Sequence, residues 1–291
     1  MALELFKPTL WSRQFIANMD RVHVFKNIVD TKYQGELSFG QALKINEIGD
    51  IDVSDYSATG GVTWQDIDDA GRTLVVDQKK YFAFAVDDVD KAQMNVDVMN
   101  GAMAKSSHTV SNTIDAYIAG KYTEAGLSVS NMGTSGTDLD IYAASGGHDG
   151  VLGVISNMNL YMNRGDVPAD GRWAVVDPNF AAYMKYASLV DNIDGGIKQM
   201  PDGRFVPGYI GSIYGINFFM SNNVSNDGTT YRIMFGSSDA LAYVGQLSKI
   251  EAVRREDYFS DGMRGLYIYG AKVVRPDHLG VAYLAYAGYS S

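Results

Sequence analysis

Leu74-Val75-Val76-Asp77-Gln78-Lys79-Lys80-Tyr81-Phe82-Ala83-Phe84-Ala85-Val86-Asp87-Asp88-Val89-Asp90-Lys91-Ala92-Gln93 changes its period half-way along. Up to Val86 it is rich in β-branched and aromatic residues, which fit a pleated surface. From Asp88 onward the period changes. Val89, Ala92, Val96, Met99, Met103, Ser106, Val110, Thr113 and Tyr117 recur at alternating spacings of three and four, the stripe of one helix face. Asp87 and Asp88 supply N-cap chemistry, no proline interrupts the run, and Gly126 offers a C-terminal stop. A helix from there to residue 124 would be on the order of 50 Å long. Gly101 inside it costs only about 1 kcal/mol relative to alanine, although two shorter helices broken there are the alternative.

Upstream of this switch the sequence reads as a two-stranded ribbon over residues 33–86. Residues 42–48 and 51–53 nearly alternate, 72–76 and 81–86 are strand-like, and Asp55-Tyr56-Ser57-Ala58-Thr59-Gly60-Gly61 is a turn signal. An isolated hairpin is marginal in water, so a projecting ribbon implies a neighbour to lie on. Residues 1–32 mix Leu5, Phe6, Leu10, Trp11, Phe15 and Ile16 with polar residues, as expected of an arm with a short helix after Pro8. Trp11, Phe39, Tyr56 and Trp64 place aromatic rings on this arm and ribbon, where they would be buried on association between subunits. Ordinary local packing is the alternative for all four.

Downstream, residues 128–149 form a loop rich in Gly, Ser and Asp, and helix and strand then alternate. A helix is expected over 151–163, a strand over 172–176, and a helix from Pro178 to residue 189, with proline at its favoured first position. A second loop covers 192–207. Strands follow over 210–222, 231–235, 250–254, 266–274 and 280–286. The class is α+β.

Composition narrows the function. With 34 acidic and 24 basic side chains the net charge is −10, so phosphate neutralisation cannot drive tight DNA binding. The chain has no cysteine, which removes disulfides, thiol nucleophiles and thiolate metal sites together. No stretch approaches the roughly 18 apolar residues of a membrane helix, and the N-terminal segment lacks the pattern of a secretory signal. Cytoplasmic synthesis without export is the expectation, and the Asn223-Val224-Ser225 sequon is then chance.

Catalytic constellations are sparse. His23, His108, His148 and His278 share no ligand spacing, and Gly208, Gly211 and Gly215 have the wrong spacing for a phosphate loop. Asp66, Asp68 and Gly71 imitate a calcium loop, but Ala70 cannot ligate through its side chain and Asp77 sits in a strand. Asp87, Asp88 and Asp90 are explained by the electrostatics of a helix start. A carboxylate-dependent hydrolase would need pairs among Asp66, Asp68, Asp87 and Asp88 to converge in one pocket, and the reading scatters them. No cofactor, metal or catalytic residue is expected.

Residues 74–93 resemble the run that closes the extended loop and enters the spine helix in major capsid proteins of tailed double-stranded DNA bacteriophages. Gly49-Asp50-Ile51-Asp52-Val53-Ser54-Asp55-Tyr56 is similar to the outgoing limb of that loop. Gly208-Tyr209-Ile210-Gly211-Ser212-Ile213-Tyr214-Gly215-Ile216 resembles the entry into the axial domain, and residues 259–276 the late strands beside the spine. The resemblance implies an N-terminal arm (1–32), extended loop (33–86), spine helix of a peripheral domain (87–125), axial domain (126–246), peripheral strands (247–276) and a return strand (277–291). It implies a non-enzymatic subunit that tiles an icosahedral shell as pentamers and hexamers in the virion. Partners would be further copies of the chain, a portal protein, a separate scaffolding protein and possibly a decoration protein, with packaged DNA only in non-specific proximity and no membrane. A fused scaffolding segment is not evident before the arm, and no cross-linking pair is assigned. The same fold serves encapsulin-like nanocompartments, the competing reading.

Overall fold

The computed structural model describes residues 15–16, 18–19, 23–34, 42–45, 71–87, 98–135, 137–141, 150–186, 200, 206–255 and 260–286. Four α-helices are described: α1 (Phe25–Ile28), α2 (Val98–Ala119), α3 (Val151–Arg164) and α4 (Pro178–Tyr186). The strands are β1 (Ala42–Ile45), β2 (Arg72–Val75), β3 (Gln78–Asp87), β4 (Leu139–Asp140), β5 (Arg172–Val176), β6 (Tyr209–Ile213), β7 (Ile216–Met220), β8 (Ser225–Asn226), β9 (Thr230–Ser237), β10 (Leu241–Arg254), β11 (Ser260–Val273) and β12 (Leu279–Ala285).

They form three sheets. A seven-stranded mixed sheet runs β4-β12-β9-β5-β7-β6 with β8 paired to β9, a three-stranded antiparallel sheet runs β10-β11-β3, and β1 pairs with β2. Strand alternation sorts the core into layers, because successive side chains point to opposite faces. In β5, Ala174 and Val176 face a cluster with Val154, Ile155 and Met158 of α3 and Phe180 of α4. Trp173 and Val175 face the other way, into a cluster shared with α2 and the arm. The three-stranded sheet repeats the device. Tyr243, Tyr267 and Tyr269 join that shared cluster. Ala242, Val244 and Ile268 meet Ile45, Leu74 and Val76 from the ribbon on the opposite face.

Residues 33–86 therefore divide. β1 and β2 pair from Ala42↔Val75 to Ile45↔Arg72 and form the base of a ribbon, whereas β3 pairs with β11 over Gln78↔Tyr269 to Asp87↔Ser260. Asp87 is thus the end of a strand and not a helix cap. Phe82 and Val86 explain the difference: their side of β3 is buried, so the segment belongs in a packed sheet. β10 spans Leu241–Arg254 and pairs with β11 along its length, with a register shift between Leu247 and Lys249. Residues 46–70 and 88–97 lie outside the described residues, and with them the limb at 49–56 and the expected start of the spine.

The buried face of α2 is Met103, Ser107, Val110, Ser111, Ile114, Asp115 and Ile118, not the whole expected stripe. Met103 and Val110 belong to both, while Thr113 is exposed and Ser106 and Tyr117 are only half-buried. α2 ends at Ala119 and a 3-10 turn carries the chain to Glu124. Gly126 does not stop the helix: its N–H donates to the Pro276 carbonyl at 3.0 Å, and an added Cβ would stand 2.6 Å from the Pro276 ring. The single strand expected over 210–222 is a hairpin, turned at Tyr214 (φ 53) and Gly215 (φ 77).

A buried arginine secures the join of α3 to β5. Arg172 donates to Asn159 and Asn163 of α3 and to the Val167 and Pro168 carbonyls, the last two at 2.5 and 2.9 Å. A cation near a helix C-terminus also complements its dipole.

Gly270 of β11 is where the ribbon base crosses the sheet. A Cβ there would stand 2.3 Å from the Val75 carbonyl oxygen and 3.0 Å from Val76 Cα. Gly270→Ala is expected to cost about 1–3 kcal/mol in chemical denaturation, the range for overpacking a core. Gly101→Ala, with nothing near its added Cβ, should be neutral or stabilising.

Candidate functional site

The arm is fastened to α2 by a buried polar junction. His23 and Asp115 are both fully buried; His23 Nδ1 lies 3.2 Å from Asp115 Oδ1, and the Val24 N–H donates to Oδ2 at 2.9 Å. Asn27 donates to the His23 carbonyl at 2.6 Å, which closes the turn. Asp115 is thereby held from both oxygens, as a buried carboxylate requires. On either side of this junction, Phe15, Met19 and Phe25 are buried in the cluster shared with α2, and the Phe15 ring stacks on Phe82 at 4.7 Å. The arm then runs on beside β10: the Asp30 N–H donates to Leu241 O at 3.0 Å, and the Tyr243 N–H donates to Asp30 O at 2.9 Å. Burial pushes the Tyr243 phenol well above its ordinary range, so it stays protonated at 3.1 Å from the Tyr267 hydroxyl.

A second polar junction lies where the chain passes between the two large sheets. Ser237 Oγ donates to Asp239 Oδ1 at 2.5 Å, Arg275 donates to Oδ2 at 3.1 Å, and His278 Nδ1 stands 3.4 Å from Ser237 Oγ. Burial acts to raise the Asp239 carboxyl, but the Ser237 hydroxyl, its own backbone N–H and the Arg275 and His278 charges hold it below its ordinary range. Ser, His and Asp thus meet, but not as a nucleophile relay. The serine is buried and gives its proton to the carboxylate, whereas a relay needs the imidazole between the two. The N–H groups of Val274 and Arg275 both donate to Ala240 O, so the cluster pins the two crossings together.

Apolar surface is left open among the described residues, at two places most clearly. A groove of about 560 Å³ runs between β3 and α2, lined by Phe82, Phe84, Ala102, Ser106, Thr109 and Thr113. It follows the edge of β3 that no described strand pairs with. Tyr81 beside it is 79% exposed. The tip of the β6–β7 hairpin carries the exposed Tyr214.

Trp11, Phe39, Tyr56 and Trp64 all lie outside the described residues, as do Asp66, Asp68 and Asp88. Of the acidic candidates, Asp77 accepts from Tyr117 OH at 3.4 Å and Asp87 sits opposite Ser260, with no shared pocket. Among the described residues no three His, Asp or Glu side chains stand close enough to hold a metal ion. No described helix is long and apolar enough to cross a membrane. The His23–Asp115 and Ser237–Asp239–His278 junctions had no signal in the sequence beyond a histidine in an arm and an acid at a helical spacing.

A family model described as phage capsid protein matches residues 54–284. The chain belongs to the phage capsid protein family. Among solved structures, one from Mycobacterium phage Che8 is similar with a TM-score of 0.67 and 28% identity, covering 89% of this chain and 90% of that one. The capsid of cyanophage P-SCSP1u follows at TM-score 0.65 and 18% identity, over 92% and 89%. A virus-like particle from Pyrococcus furiosus shares the fold alone, at TM-score 0.60 and 9% identity over 96% and 100%. No curated protein matches by sequence. The fold is that of tailed-phage major capsid proteins, and the capsid protein is a shell-forming structural subunit.

The arm junction makes a sharp contrast between two neighbouring residues of the capsid protein. Asp115→Ala leaves the Val24 N–H and His23 without an acceptor and is expected to cost about 3 kcal/mol in denaturant unfolding. Ser111→Ala, which removes a buried hydroxyl that has no partner, should be neutral or stabilising.

Proposed function

We propose that this subunit builds an icosahedral shell as pentamers and hexamers, with each ribbon lying on a neighbouring copy. The observation that carries the reading is the ribbon's anchorage. Its base is cemented to its own sheet through Ile45, Leu74, Val76 and Ile268, so β1 and β2 leave the domain on a fixed footing. Residues 46–70, which join those strands, hold seven acidic side chains and no basic one, alternating in part with Ile48, Ile51, Val53, Trp64 and Ile67. Like charges discourage two such segments from pairing with each other, a common defence of exposed strand edges. Phe39, Tyr56 and Trp64 would bury their rings on the neighbour. Such heterologous contacts extend from subunit to subunit and close only around a symmetry axis.

The setting follows from that role. The subunit is made in the bacterial cytoplasm and ends in the virion, alongside a portal protein and a separate scaffolding protein, with room for a decoration protein. The net charge of −10 leaves packaged DNA neutralised by counterions and not by the shell. The virus-like particle from Pyrococcus furiosus shares only the fold, so similarity to it does not favour enclosed cargo over a genome.

Negative-stain electron microscopy of the purified full chain tests this directly. Uniform shells, tubes or capsomer rings are the expected result, with Tyr56→Ala and Trp64→Ala lowering their yield while the free subunit stays folded. Small monodisperse particles alone, across protein concentrations and salt, would contradict it.

A further inference from the structure

The groove between β3 and α2 exposes apolar surface that the described part of the molecule does not cover. On α2 its wall is Ala102, Ser106, Thr109 and Thr113, small side chains at spacings of four, three and four, with Lys105 and Val110 beside them. Ser106 and Thr113 belong to the stripe whose periodicity marks a buried helix face, yet Thr113 is exposed and Ser106 half-buried. On β3 the wall is aromatic. Phe15 stacks on Phe82 at 4.7 Å, Phe82 is followed by Phe84 at 6.5 Å, and Phe84 is only partly buried.

Phe15 is also where the arm arrives. Coming back from His23, which is fixed at Asp115 just beyond the Thr113 end of the groove, the arm reaches Phe15, which is fully buried and stacked on Phe82 of the groove's aromatic wall. Met19 and Phe15 are both buried and four residues apart within helical backbone. One further step of four reaches Trp11, and each such step advances a helix by about 6 Å. We propose that residues 1–14 of the same chain fill this groove, with the Trp11 indole as the main occupant between Phe84 and the Ala102–Ser106 end of α2. The composition suits it: Leu3, Leu5, Phe6, Leu10 and Trp11 are apolar, and the segment carries only Glu4, Lys7 and Arg13 as charges. Covalent attachment at Phe15 presents the segment to its own groove at an effective concentration of about millimolar, ahead of any second copy. Trp11 thereby becomes a cis contact, which leaves the ribbon aromatics as the ones that bridge subunits.

The chain contains no cysteine, so a disulfide trap is free of background. Trp11→Cys with Ser106→Cys, oxidised in dilute full-length protein, should give a faster-migrating monomer on a non-reducing gel. Trp11→Cys with Ser156→Cys, on the exposed face of α3, should give none. A dimer ladder from the first pair would assign the groove to a second copy, and no cross-link would leave it unassigned; either overturns the proposal. Ser106→Arg supplies an independent readout that needs no disulfide. Its charge in the groove should red-shift tryptophan emission and raise acrylamide quenching while circular dichroism stays native. Unchanged emission would count against Trp11 as the occupant.

Discussion

A carboxylate near the C-terminal end of α2, buried beside the cluster that both large sheets share, is the constraint on which the rest of this molecule depends. Asp115 cannot be left unpaired inside the core, and the groups that satisfy it, the Val24 N–H and His23, both come from the N-terminal arm. The arm must therefore cross α2 at that point. Once it does, Phe25 and Ile28 complete the cluster on one side, Phe15 reaches Phe82 on the other, and Asp30 enters register beside β10. An apolar residue at 115 would bury as readily but would not tell the arm where to cross.

The two large sheets are joined by the same kind of device. Polar clusters sit where the chain passes from one layer to the next: Asp239 with Ser237 and Arg275 between the sheets, and Arg172 between α3 and β5. Tyr286, just after β12, donates to Asp177 at the start of α4, and burial raises that carboxyl. Each junction fixes direction, while the apolar clusters on either side supply most of the driving force.

Much of the seven-stranded sheet was legible in the sequence because its strands are short apolar runs bounded by turn signals. β5 matches the strand expected over 172–176, α3 extends the expected helix by one residue, and β12 is displaced by one. The errors have physical causes. Tyr214 at a positive φ gives no turn signal, since glycine or asparagine is the usual marker there, so a hairpin read as one strand. The face of α2 was misplaced because Ser107, Ser111 and Asp115 are polar and buried, and hydropathy cannot see that Asp115 finds its partner about 90 positions away. β3 looked like a ribbon limb because its partner β11 is distant in sequence, and strand propensity carries no information on pairing. The four aromatic contact candidates fall on segments outside the described residues, so the resemblance in chain order, and not any single residue, carried the functional reading.

The account as a whole asks one thing of the ribbon: that its outer surface is satisfied by another copy of the chain. Amide hydrogen exchange compared between free subunits and assembled shells measures this most directly. Amides of β5, β7 and β9, and of the anchored base in β1 and β2, should exchange equally slowly in both states, while those of residues 46–70 should be slowed in shells, by tenfold for each ~1.4 kcal/mol of contact. Equal exchange of residues 46–70 in the two states would contradict the account.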